Sequence, residues 1–199
     1  MPRVPPEHLE ARRRQILDAA RRCFIRNGFH ATSMQDILAE AELSAGATYR
    51  YFRSKEEIIA AIAEGVLGEL IDTYEATIAE DRPLAEVLGR IAAEFQRLDA
   101  ELGLAKIVLQ VWAEAVRTPA LAVRLRQVVA VVRQRTDVLV RKYQERGEIG
   151  PGDPDEIGKA LLAFMPGFIL QYAVLGDLDA ESLTSGLRSL LREGKVTDQ

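Results

Sequence analysis

The side chains with chemistry to offer cluster between residues 33 and 55, in SMQDILAEAELSAGATYRYFRSK. Tyr49, Arg50 and Tyr51 place hydroxyl and guanidinium donors in consecutive positions, one residue beyond the small residues Ala45, Gly46 and Ala47. Such donors hold anions and read base edges. Small residues let a helix backbone approach a surface closely, while the larger ones reach sideways to phosphates or inward to bases, which is what a helix in the DNA major groove requires. Patterns that would support bond-breaking chemistry are missing. The two histidines, His8 and His30, both lie near the N-terminus, and Cys23 falls on an apolar stripe. No glycine-rich phosphate loop, metal-ligand spacing or nucleophile elbow is present. The expectation is a binding protein, not an enzyme, with no metal and no cofactor.

Three helices must position these donors. Ile16, Ala19, Ala20, Cys23 and Phe24 recur at helical spacing and predict a helix over residues 7–27, stopped by Gly28. Ser33 with Asp36 reads as a capping box opening a second helix, with Met34, Ile37, Leu38 and Ala41 on one face. Residues 42–44 form the turn, Leu43 plugs the gap between helices, and Ser44 caps a short third helix from Ala45 to about Phe52. A helix that short is marginal alone and needs the second helix behind it. Ser54 and Glu57 read as another capping box, opening a long helix with Lys55 in its first turn. A cation there opposes the helix dipole, and a bound phosphate would relieve the conflict. Arg12, Arg13 and Arg14 pose the same conflict at the start of the first helix, either as a solvated face or as phosphate contacts. A helix corner in an ordinary helical protein would leave the exposed tyrosines and the basic surplus unexplained.

Charge points the same way. Residues 1–55 hold ten Lys/Arg and six Asp/Glu, a surplus of +4, whereas the whole chain of 199 residues carries -4. A basic end on an acidic body suggests one anionic partner met locally. The single cysteine excludes an internal disulfide and suits a reducing compartment, and no secretory signal opens the chain. The apolar run Ala160–Leu175 is shorter than the ~20 residues of a spanning helix and reads as a buried helix, with no membrane expected.

Residues 9–62 resemble the DNA-binding domain of the TetR family of bacterial transcriptional repressors. The resemblance rests on Ile16, Ala19, Ala20, Phe24, Gly28-Phe29, Thr32-Ser33, Ile37, Ala41, Leu43-Ser44, Gly46, Tyr49, Tyr51-Phe52 and Lys55, in order and without a gap. It implies an all-α, TetR-like chain of about nine helices. Residues 1–55 would be a three-helix DNA-binding domain with its helix-turn-helix at 33–52, and residues 56–199 a helical effector-binding and dimerisation domain. It implies that Ser33, Tyr49 and Lys55 contact phosphate, and that Ala45, Gly46, Ala47, Arg50 and Tyr51 meet bases or nearby backbone. Ser44 and Thr48 complete the candidate DNA-binding set, and Phe52 is structural. Where family members often carry glycine in the turn, this chain has Glu42. A left-handed backbone there would cost about 1 kcal/mol.

From residue 56 the pattern stays helical. Asp81-Arg82-Pro83 punctuates it, and Gly103 breaks it again. Thr118-Pro119 reads as a cap with proline at the first helical position, and Asp153 to Glu156 as another helix start. Residues 154–175 become apolar on nearly all sides, so one face suits this chain's own core and the other a partner subunit. A final helix over about 180–192 offers Leu183, Leu187, Leu190 and Leu191. The resemblance implies a homodimer through these last two helices, a palindromic double-stranded operator, and a small-molecule effector bound within the body. Candidate effector-binding residues are Phe95, Val108, Trp112, Val132, Phe164, Phe168 and Tyr172, although for each of them ordinary core or dimer interface is the favoured assignment. Pro166 either shapes a pocket or fits the interface. Gln110, Gln171 and Tyr172 are the few polar groups in this zone, which suggests an apolar or aromatic effector. The expected function is a cytoplasmic ligand-released repressor; an activator or a DNA-binding module without ligand response is the alternative.

Overall fold

The computed structural model describes residues 6–79 and 81–191, and no strand occurs among the described residues. Among the described residues nine α-helices follow in order: α1 (Pro6–Asn27), α2 (Met34–Glu40), α3 (Ala45–Thr48), α4 (Lys55–Ala79), α5 (Leu84–Leu102), α6 (Leu104–Ala115), α7 (Pro119–Glu145), α8 (Pro154–Leu170) and α9 (Ala180–Leu190). A π-helical turn, Gln171–Leu175, prolongs α8.

Helix boundaries follow local chemistry. Gly28 ends α1 and Gly103 ends α5, both in the left-handed region, at φ +81 and +65. Asp153 caps α8 by accepting from the Asp155 amide at 3.0 Å, with Pro154 at the first helical position. Asp179 caps α9 through the Ser182 amide at 2.7 Å. Two expected caps differ. Ser54 accepts from the Glu57 amide at 3.3 Å, but the Glu57 carboxylate accepts from the Arg53 amide at 2.7 Å instead of closing the box on Ser54. Thr118 donates its hydroxyl back to Glu114, so it ties α6 to the start of α7 and does not cap α7.

The chain divides into two compact units. The first falls within Met1–Val66 and Lys106–Leu125. Its core joins the predicted α1 stripe (Ile16, Ala20, Cys23, Phe24) to Phe29, Ile37, Phe52, Ile58, Ile59 and Ile62, and to Ile107, Val111 and Leu121 from α6 and α7. The compact unit therefore runs past residue 55 and recruits a segment forty residues downstream. The second unit falls within Leu67–Ala105 and Arg126–Gln199. There Leu84, Val87, Leu88 and Ile91 of α5 pack with Leu139 and Tyr143 of α7 and Leu187 of α9. Gly89 makes the α5–α9 approach possible, because a Cβ would stand 1.9 Å from the Thr184 hydroxyl oxygen. Burial pushes the Tyr143 hydroxyl up to about 12, and it donates to the Arg82 carbonyl at 2.5 Å.

The apolar helix near the C-terminus is longer than its apolar run and leaves one face uncovered. Residues Pro154–Leu175 form 22 helical residues through Pro166, a match to a spanning helix by length and composition only. Helix lengths add the polar first turns that an apolar count omits. The helix is also not buried all round within the single chain: only 17% of its most apolar window is buried, and Phe164, Leu170, Val174 and Leu175 are exposed.

Candidate nucleic-acid interface and effector region

The reading unit is built from α1, α2 and α3 with the start of α4. Ser33 and Asp36 close the expected capping box. The Asp36 carboxylate accepts from the Ser33 amide at 2.7 Å and from the Ser33 hydroxyl at 2.6 Å, and the Asp36 amide donates to the Ser33 hydroxyl oxygen at 3.1 Å. The Ser33 bonds hold the Asp36 carboxyl below the usual carboxylate range. Glu42 in the turn is left-handed at φ +53, so the expected strain is present. Its neighbours still close the turn, with the Leu43 amide donating to the Leu38 carbonyl at 3.1 Å.

Regular α3 is shorter than expected, four residues instead of about eight. Turn hydrogen bonds continue it, since the Tyr49 amide donates to Ala45 at 3.0 Å and the Phe52 amide to Thr48 at 3.0 Å. Burial of Thr48 and Phe52 anchors this segment. Arg13 stacks over the Phe52 ring at 5.4 Å, and Arg12 donates to Gln15 at 2.8 Å, so two of the three consecutive arginines serve the fold while Arg14 stays exposed.

Nine of the ten candidate DNA-binding residues keep surface open to solvent: the exposed Ser33, the half-buried Lys55 and seven others. Ser44, Ala45, Gly46, Tyr49 and Arg50 are exposed, while Ala47 and Tyr51 are half-buried. The Ser44 hydroxyl makes no capping bond. Three are engaged elsewhere. The Ser33 hydroxyl is in the capping box. Thr48 is fully buried and its hydroxyl finds no partner. The Lys55 ammonium donates to the Phe29 carbonyl at 2.9 Å and the Thr32 carbonyl at 2.6 Å, over the Phe29 ring at 4.7 Å. Lys55 thus points into the α1–α2 corner in this structure, which also resolves its conflict with the helix dipole without a phosphate.

Three supports were not foreseen. Gln15 donates to the Ala41 carbonyl at 2.7 Å, fixing α1 on the end of α2. Glu40 bridges Arg22 at 2.7 Å and Arg26 at 3.0 Å, and these bonds hold its carboxyl below the usual range. Gln110 of α6 accepts from the Phe29 amide at 2.6 Å and donates to the Phe24 carbonyl at 3.3 Å. Gln110 is therefore spent on the backbone of α1 and is not a polar group of an effector pocket. A glutamine isolated on an apolar stripe was its sequence signal.

Of the seven candidate effector residues, three come together in the second unit. Phe95 and Phe168 are buried and meet edge-to-face at 6.5 Å, and Phe168 stacks on Tyr172 at 5.9 Å. Burial raises the Tyr172 hydroxyl, aided by the nearby Asp99 carboxylate that accepts its hydrogen bond. Val132 is half-buried and Phe164 is exposed. Val108 and Trp112 belong to the first unit, with Val108 half-buried and Trp112 43% exposed. Among the described residues no group of three or more metal-ligating side chains occurs.

Known proteins agree with this geometry over most of the chain. Residues 16–62 match the model of the tetR family of bacterial regulatory proteins, and residues 83–193 match that of the BetI-type transcriptional repressor C-terminal domain. The HTH-type transcriptional regulator UidR of Escherichia coli (strain K12) is 30% identical over 189 residues, 90% of either chain. The structure of Salmonella enterica GusR is similar with a TM-score of 0.70 and 29% identity, covering 90% of this chain and 93% of that one. FadR from Bacillus subtilis, solved with stearoyl-CoA, shares the fold at a TM-score of 0.75 and 23% identity, covering 91% and 98%. The chain belongs to the TetR family: it is a DNA-binding transcriptional regulator, not an enzyme.

Proposed function

We propose that this regulator is a cytoplasmic repressor that binds a palindromic operator as a homodimer and leaves it when a small apolar or aromatic effector binds. Residues 1–55 are the reading head, and residues 56–199 carry effector and dimer functions. Base and backbone contacts come from Ser44, Ala45, Gly46, Ala47, Arg50 and Tyr51, with Tyr49 on phosphate. The observation that supports the dimer best is apolar surface on the last two helices. Phe164, Leu170, Val174, Leu175 and Leu190 are each 40–77% exposed in the single chain. A soluble protein covers such a patch with a partner. Twofold pairing then sets two reading heads about one DNA turn apart, ~34 Å. Phe95, Phe168 and Tyr172, tied to Asp99, offer the aromatic surface for the effector, in keeping with the apolar acyl chain of the ligand in the FadR structure.

Selection of bound duplexes from a random library tests the reading. The expected result is an inverted repeat with half-sites about one turn apart. Enrichment of an asymmetric site, or of none, overturns it.

A further inference from the structure

We propose that Gln110 is a positioning residue for DNA reading, the clasp that holds the α1–α2 corner in the orientation α2 and α3 need. The inference rests on α2–α3 being the reading unit. Gln110 sits between the buried Ile107 and Val111 on α6, where an apolar side chain would pack at no desolvation cost. Its amide instead satisfies the backbone of another helix 81 and 86 residues away. Phe24 lies in the last turn of α1, where its carbonyl accepts from the Gly28 amide at 2.9 Å and takes a second bond from Gln110, and Phe29 is the first residue beyond Gly28. One side chain therefore bonds both sides of the turn that ends α1.

The Phe29 peptide is gripped from two directions. Its N–H goes to Gln110 and its carbonyl to Lys55, which also holds the Thr32 carbonyl directly before the cap of α2. One turn further along α6, Glu114 lies 2.7 Å from the His30 ring nitrogen. Nothing else in these contacts fixes the corner's amide. Removing the Gln110 amide leaves the Phe29 N–H without its partner while the apolar packing of α1 on α6 persists. The first turn of α2, and α3 behind it, then lose their fixed origin but not their fold.

The test uses the full-length protein and the duplex selected from the library, beside a scrambled duplex. Gln110→Met keeps length and packing but offers no amide. It is expected to lose tenfold or more of its affinity for the selected duplex and less than threefold for the scrambled one, with an unchanged helical spectrum. Equal affinity to the wild type on the selected duplex, or equal losses on both duplexes, overturns the proposal. Wild-type protein supplies an independent readout. Hydrogen exchange at the Phe29 amide should slow further on the selected duplex and not on the scrambled one; identical exchange on both overturns the proposal even if the variant does not fold. A wild-type protein that selects no duplex sinks the reading function itself, whereas one that selects a site indifferent to Gln110 sinks only the clasp.

Discussion

Glu42 shows most directly how one residue trades against its neighbours. It occupies the left-handed region at φ +53, where a Cβ crowds the following carbonyl. Glu42→Gly should raise unfolding stability by about 1 kcal/mol, read as a higher midpoint in urea at unchanged slope. No gain would mean that the Glu42 side chain compensates the strain. Glu42 was legible in the sequence as a departure from the glycine common at that turn, and so was the Ser33 cap. Lys55 was not. Its partners lie 23 and 26 residues upstream, and spacing along one helix says nothing about carbonyls that a distant corner brings within reach. Thr48 was misleading for the opposite reason, because a four-residue helix turns its last side chain inward before periodicity can be counted.

At the scale of elements, the helix ends carry a pH dependence. The bonds from Ser33 hold the Asp36 carboxyl low, those from Arg22 and Arg26 hold Glu40 low, and the Thr118 hydroxyl holds Glu114 low. A carboxyl whose folded value is depressed contributes stability that is fully present above its unfolded value and is lost as pH falls through the folded one. The first unit should therefore melt at progressively lower temperature as pH drops below about 4. Asp36→Asn should lower the neutral-pH melting temperature and make the acid decline shallower. Parallel declines for the two proteins would remove Asp36 from the account. Most helix boundaries were readable, because glycine, proline and capping residues act within one turn. The extent of α3 was not, since it depends on what packs against the helix.

For the molecule as a whole, stability and association are linked. The uncovered face of α8 and α9 predicts a dimer in sedimentation at micromolar concentration, with a melting temperature that rises with protein concentration. A monomer with a concentration-independent melt would exclude the proposed pairing. The helical character of the described residues was legible from periodicity and capping residues, and their architecture from the family resemblance. The composition of the first unit was not: Ile107, Val111 and Leu121 join its core from outside the reading head, and a contact across some fifty residues leaves no trace in local pattern.

Gly46 gives the reading head one further property. A Cβ added there meets nothing within 4 Å, and the neighbouring Ala45 is exposed. These positions meet no steric demand from the fold, so in the proposed function the DNA partner is what constrains them. Regulators with this scaffold can diverge in operator choice by filling positions 45 and 46 without first acquiring compensating changes in the core. For design, a small library at these two positions explores recognition at nearly constant stability.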